Sequence, residues 1–314
     1  MSPFSGREAI TEFLQDVDDQ LDQSVKVYLV GGSAMTAHQL KDQTKDIDLV
    51  LGVSAEFELV RDALLDMGFV VENEPTAEFE DIGRTLELAG ETGVQVDLFE
   101  EQIVGKLRLS TEMRERAEQI YGGESVAGFT LSKEDMFLLK GVAGRGYDPE
   151  DMLALVRSGL QFSVVGEELE AQLPVNTGTV EAHQLYSYSH PLMTFEQTIT
   201  RFDGLPSEFT DQVEALADRA FTERTVIEHL QTGSLEIEIL CRKVTDNDDS
   251  IDRPETVRKA VTNLAEKGVV ERDGSDVSQP RRFHFPELQA RSDRGEFFTP
   301  EGCGGLEVVP RIES

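Results

Sequence analysis

Lysine is the scarce residue in this chain: nine of the 29 basic residues are lysine, against 61 acidic residues, for a formal net charge of −32 over 314 residues. A carboxylate-rich, lysine-poor surface stays soluble where salt screens repulsion over only about 3 Å at 1 M, and in dilute buffer the same charges repel and loosen the fold. The acidity therefore reads as a halophilic adaptation, a mark of habitat and not of function. Cysteine is nearly absent. Cys241 and Cys303 have no CxxC spacing, which excludes a zinc ribbon and a disulfide framework and leaves two free thiols. The five histidines lack Cys or acidic partners at metal-ligand spacing, and Asp246 to Asp252 lacks the glycine and terminal glutamate of a calcium loop. No apolar run reaches the roughly 18 residues of a membrane span. The first residues, with Glu8, Asp16, Asp18 and Asp19, show neither the basic nor the apolar region of a signal peptide, so the expected location is cytoplasmic with no membrane partner. A GxxxxGK[ST] phosphate loop is missing too, and Gly141 to Gly146 follows a helical pattern where a dinucleotide fingerprint needs a strand.

What is present is periodic. Hydrophobic residues make up 39% of the chain and fall in patterned segments, which excludes a wholly disordered acidic protein. Ile10, Phe13, Leu14, Val17 and Leu21 recur at helical spacing. Val25 to Val30 reads as a buried strand, broken by Gly31-Gly32, and Ser33 to Leu40 as a helix. Further strands are expected at 46–51, 69–72, 85–88 and 94–99, with a helix over 55–67 closed by Gly68. From Ser132, capped by Asp135 three residues on, the pattern turns helical as far as the Gly144-Arg145-Gly146 break, and another helix follows from Pro149. The expected class is α+β (mixed α/β), a sheet with flanking helices followed by a mainly helical domain. The expected divisions are 1–160, a helical connection over 161–206, a C-terminal domain over 207–286 and a weakly structured tail over 287–314.

Side chains alternate across a strand, so Asp46 and Asp48 share one face while Ile47 and Leu49 enter the core. Such a pair repels itself unless a cation intervenes, and Mg²⁺ (or Mn²⁺) prefers carboxylate and phosphate oxygens. Asp97, in Val96-Asp97-Leu98, is a third strand carboxylate and a third ligand if its strand neighbours the first. Metals held this way, about 3.5 to 4 Å apart, activate an attacking hydroxyl and stabilise departing pyrophosphate. Gly31-Gly32 lets backbone approach a phosphate, the following helix points its free N–H groups at the anion, and Ser33 offers a hydroxyl donor.

A single Asp-x-Asp in so acidic a chain is an ordinary strand end; the order of elements singles this one out. Strand, Gly-Gly-Ser, helix, Asp-x-Asp strand and a later strand Asp resemble the nucleotidyltransferase superfamily that includes DNA polymerase beta. The resemblance rests on Tyr28-Leu29-Val30-Gly31-Gly32-Ser33 and Thr44-Lys45-Asp46-Ile47-Asp48-Leu49 and covers roughly residues 20 to 160. It is greatest to the small prokaryotic branch with abortive-infection and toxin-antitoxin members. That branch carries a basic residue on a helix after the third acid, and Lys140, with Arg145, Asp148 and Asp151, resembles this element. The resemblance implies Lys140 on phosphate, catalytic and metal roles for Asp46, Asp48 and Asp97, nucleotide contact at Gly31, Gly32 and Ser33, and nucleotidyl transfer from a nucleoside triphosphate to an RNA (possibly tRNA) or protein hydroxyl. A cognate antitoxin or a second copy of the chain is a further expected partner.

Residues 223 to 285 run helix, helix, helix, hairpin, with Val257, Ala260, Val261 and Leu264 as a buried stripe closed by Gly268, and resemble a winged helix-turn-helix. Residues 253 to 282 hold seven basic and five acidic groups, a net +2 that opposes the global charge. Arg253, Arg258, Lys259, Arg281 and Arg282 lie on or beside the expected recognition helix and wing, where phosphate contact to DNA would place them. The alternative to an enzyme is accordingly a DNA-binding regulator whose first domain binds nucleotide without chemistry; a protein-contact module is a third reading.

Overall fold

The computed structural model describes residues 4–73, 85–91, 93–103, 107–144, 148–172, 182–230, 233–247, 253–273, 282–284, 296–299 and 307–310. The chain divides into two compact units, residues 1–172 with 197–209, and 173–196 with 210–314.

In the first unit the elements run β1 (Phe4–Ser5), α1 (Gly6–Asp18), β2 (Val25–Val30), α2 (Gly31–Ala37), β3 (Gln43–Thr44), β4 (Asp46–Leu51), α3 (Ser54–Asp66), β5 (Val70–Asn73), β6 (Thr85–Ala89) and β7 (Gln95–Glu100). Then come β8 (Gln102–Ile103), β9 (Leu107–Arg108), α4 (Thr111–Arg116), β10 (Glu118–Gly122), β11 (Val126–Thr130), α5 (Lys133–Ala143), α6 (Asp148–Arg157) and α7 (Phe162–Ala171). Seven strands form one sheet in the order β10-β11-β2-β4-β7-β6-β5, parallel at β11·β2 and β4·β7 and antiparallel at the other junctions. The fold is mixed α+β.

The register follows from burial. Leu49 lies between Leu29 and Leu98, and Leu98 beside Leu86, so a row of leucines crosses the sheet on one face, each at most 2% exposed. Burying each contributes roughly 1.5–3 kcal/mol, and a one-residue slip would turn the whole row outward. Ile10, Phe13, Leu14 and Val17 are the buried face of α1, as their spacing predicts. α5 begins with the expected cap, the Ser132 hydroxyl accepting from the Asp135 N–H, and ends at Gly144 in the left-handed region.

Two features depart from the periodic reading. The hairpin β10–β11 carried no clear sequence signal, yet it forms one side of the main sheet, with β10 at the edge and β11 beside β2. Asp18, at the end of α1, fastens it: its carboxylate accepts N–H bonds from Glu124 (3.2 Å), Ser125 (2.8 Å) and Val126 (2.5 Å). Burial alone would raise the Asp18 pKa, but these N–H bonds outweigh it and hold the group below its ordinary value. The second feature joins helices. Arg116, at the end of α4, donates to buried Asp135 of α5 and buried Glu168 of α7, each at 2.5 Å.

The second unit holds most of α8 (Ala182–Ile199) and of α9 (Ser207–Leu230), then β12 (Leu235–Glu236), α10 (Ile237–Asn247), α11 (Pro254–Glu266), β13 (Glu271–Asp273), β14 (Arg282–His284), β15 (Glu296–Thr299) and β16 (Glu307–Pro310). Residues 207–230 form one continuous helix, so the first helix of the run expected from 223 begins well before it. Thr222 is buried and bonds back to the Asp218 carbonyl at 2.8 Å, so nothing there ends the helix. The three-stranded sheet has the order β12-β14-β13, and Leu240, Val244, Val257, Val261 and Leu264 close a core with Val226 and Leu230 of α9.

Candidate active site

The site is assembled by strand register. β2 and β4 pair so that Val30 lies opposite Asp48, and β4 and β7 pair so that Asp48 lies opposite Asp97 and Asp46 opposite Gln95. Facing residues on neighbouring strands have Cβ atoms about 4.5–5.5 Å apart, so Asp48 and Asp97 are side-by-side neighbours although 49 positions separate them. Asp46 occupies the same face one row away. All three are half-buried, while Ile47, Leu49, Val96 and Leu98 between them are fully buried. The alternation that the sequence implies, and the adjacency of Asp97 that it left conditional, are both present in this geometry.

The row extends further than the sequence reading took it. Glu87 of β6 lies opposite Asp97, so Asp48, Asp97 and Glu87 form one line of carboxylates across three strands. The signal was available: Glu87 is the polar residue between Leu86 and Leu88, both buried.

Beside Asp48 the chain turns at Gly31, whose φ of 57° lies in the left-handed region. A Cβ there would overlap the Asp48 carboxylate, so this position combines a backbone shape and a space that only glycine meets. At Gly32 a Cβ would come 2.6 Å from the Thr44 hydroxyl, which itself donates to the Asp46 carbonyl at 3.0 Å and sets the start of β4. The Gly-Gly turn and the Asp-x-Asp strand are thus packed against one another.

Ser33, expected as a phosphate donor, is held within the fold in this structure. It is fully buried, its hydroxyl proton goes to the Val30 carbonyl at 2.8 Å, and its oxygen stands 3.4 Å from the Asp48 N–H. The serine therefore staples the first turn of α2 to β4. The helix begins at Gly31, earlier than expected, and is only seven residues long, ending at Ala37 and not Leu40. Lys140 also points inward. Its ammonium lies 2.7 Å from Asp151 of α6 with the side chain 8% exposed, and Lys41 approaches the same Asp151 oxygen at 3.5 Å.

Among the described residues no three His, Cys, Asp or Glu side chains, as placed, stand close enough to share one ion. The donors nonetheless suit a hard divalent cation: carboxylate oxygens from adjacent strands, beside a glycine that leaves the space at Asp48 clear of a side chain.

In the second unit Arg253 and Lys259 are exposed on the α11 side of the core. Arg258 is engaged by Glu238 of α10, at 2.8 and 3.0 Å. Arg282 lies on β14 opposite Glu236 and Asp273 in register, and Arg281 falls outside the described residues. No helix among the described residues is long and apolar enough to cross a membrane.

No family model matches the chain, and no curated protein matches it. Two solved structures from Helicobacter pylori resemble it. One is provisionally described as a nucleotidyltransferase, with 11% identity and a TM-score of 0.28 over 68% of this chain and 93% of that one. The other, JHP933, has 11% identity and a TM-score of 0.28 over 69% and 93%.

Proposed function

We propose that the first unit is a metal-dependent nucleotidyltransferase acting on a nucleoside triphosphate, with Asp48 and Asp97 as the central ligands of Mg²⁺ (or Mn²⁺) and Asp46 completing the set. The observation that carries this reading is the register Val30–Asp48–Asp97, which sets the Gly31 turn against the Asp48 carboxylate and Asp97 beside Asp48 on the next strand. The metal, when bound, would supply charge stabilisation at the α-phosphate. The chain's own part is to hold its carboxylates in one row, to keep Gly31 open to a phosphate and to fix β4 through Ser33 and Thr44. In the reaction a bond forms from an acceptor hydroxyl oxygen to the α-phosphorus. The bond to the departing pyrophosphate breaks with its electron pair, and the hydroxyl proton is released to water. The acceptor we favour is a hydroxyl on RNA, with a protein hydroxyl as the competing class.

The test is incubation in molar KCl with Mg²⁺ and each labelled nucleoside triphosphate, offering total RNA and then protein as acceptor. Wild type should transfer label and Asp48→Asn should fall about a thousandfold, several kcal/mol of transition-state stabilisation, with its circular dichroism unchanged. Equal transfer by Asp48→Asn, or none by wild type with either acceptor, sinks the reading.

For the second unit the helix–strand–helix–helix–hairpin order with strands β12-β14-β13 supports a winged-helix reading, with exposed Arg253 and Lys259 as its nucleic-acid contacts. Arg258 is held by Glu238, so a nucleic acid would have to displace that carboxylate to reach it.

A further inference from the structure

Two arginines stand two residues apart on α4 and differ in what they meet. Arg116 is enclosed by Asp135 and Glu168. Arg114 pairs with no carboxylate among the described residues, although acids outnumber bases 61 to 29, and its Nε is buried without a hydrogen-bond partner. A buried donor left unmet costs roughly 1–3 kcal/mol and calls for an acceptor from outside the chain. The guanidinium lies face-on against Gly52: Cζ, Nη1 and Nη2 are 3.2, 3.2 and 3.3 Å from where a Cβ would stand.

That glycine follows β4, four residues beyond Asp48, a distance of roughly 13 Å along a strand. Val30 lies opposite Asp48, and alternation puts Tyr28 and exposed Lys26 on the same face. Arg114 is near this face, because its charge is felt at Tyr28: burial raises the Tyr28 pKa, Arg114 pulls it down, and Glu56 pushes it up. Glu56 is itself engaged, accepting from the Lys26 N–H at 3.1 Å. Phe129, half-buried, stacks on Tyr28 with centroids 5.2 Å apart. One face of the sheet thus carries the carboxylate row at one end and two cations with an aromatic ring toward the other. Cations interleaved with aromatics suit single-stranded nucleic acid, and a guanidinium fork matches phosphate.

We propose that Arg114 and Lys26 form a phosphate subsite for the acceptor, holding a backbone phosphate of single-stranded RNA whose hydroxyl reaches the carboxylate row. That the bound RNA is an acceptor rests on the transferase reading above; the subsite does not.

Fluorescence anisotropy with a short labelled oligouridine, free of divalent metal and over a KCl series that keeps the chain folded, tests it. Full-length Arg253→Met/Lys259→Met serves as the reference, so that the second unit's exposed cations do not contribute. The reference should bind. Adding Arg114→Met should weaken binding about tenfold and lower the slope of log affinity against log salt by about 0.7, the loss of one phosphate contact. Lys26→Met, at an exposed position, should lose about threefold with a similar fall in slope, and Arg114→Lys should keep the slope. No binding by the reference, unchanged affinity in both Met variants, or weaker binding at an unchanged slope would overturn the subsite. The two readings separate through Asp48→Asn. Arg114-dependent RNA binding without nucleotide transfer leaves the subsite standing and removes the enzyme. Asp48-dependent transfer with RNA binding unchanged by Arg114→Met and by Lys26→Met does the reverse.

Discussion

Arg116 and Asp151 each gather two groups of opposite charge in the same unit, and the arrangements are reversed: one base meets two acids, and one acid meets two bases. Arg116 serves two acids, Asp135 and Glu168, whose side chains are each 1% exposed, and the excess negative charge is sealed between helices. Burial works against the charge on Arg116, but the hydrogen bonds it donates to Asp135 and Glu168 outweigh it and keep the guanidinium pKa above its ordinary value. Asp151 instead serves two bases, one of which, Lys41, is 42% exposed. A cluster whose carboxylates are sealed between helices depends on its shared cation, whereas one with a partly exposed member can relax toward water when a partner is lost.

The comparison breaks most sharply at Arg116. Arg116→Met leaves two buried carboxylates without their shared cation and should cost roughly 3–5 kcal/mol, read as a fall in the denaturation midpoint at fixed KCl. A loss under about 1 kcal/mol would show that water already shares the load. At Asp151 the effect should be smaller. Asp151→Asn should destabilise by about 2 kcal/mol, because Lys41 is already half in solvent and Lys140 has a long stem with which to relax toward it. Equal losses at the two positions would erase the distinction between sealed and accessible clusters.

A third buried charge sharpens the contrast. Glu223 of α9 is fully buried, and neither carboxylate oxygen meets a hydrogen-bond partner of good geometry among the described residues. Burial raises its pKa, with Arg219 and Asn263 pulling the other way. A raised folded pKa means stability that is complete below the ordinary glutamate value of 4.5 and is lost as pH rises through the folded value. Glu223→Gln should therefore be more stable than wild type by about 1 kcal/mol at pH 8 and lack the decline above pH 4.5. Melting curves of both proteins across that range decide it, and parallel slopes would mean that Glu223 is ionised throughout.

Much of the site was legible because its pieces are local. Alternation alone put Asp46 and Asp48 on one face, Gly31-Gly32 marked the turn, and Ser132 with Asp135 marked the start of α5. The hairpin β10–β11 was not legible, since no residue of Glu118 to Gly122 is buried and Val126 to Thr130 mixes Val, Phe and Thr with Ala and Gly. Its place beside β2 depends on Asp18, a hundred residues away in the chain. The Ser33 contacts were not legible for a related reason: a serine after two glycines has the same sequence whatever its hydroxyl meets, and only the fold sets it on the Val30 carbonyl.

The sequence by itself determined the acidic character, the alternation of both Asp strands and the glycine turn, because each depends on composition or on neighbours a few residues apart. Only the tertiary structure decided that Asp97 stands beside Asp48, that Glu87 prolongs the row, and that Lys41 meets Lys140 on Asp151. Those pairings are fixed by strand register and helix packing, which the burial of Leu29, Leu49, Leu98 and Leu86 in one row selects out of many alignments the local pattern allows.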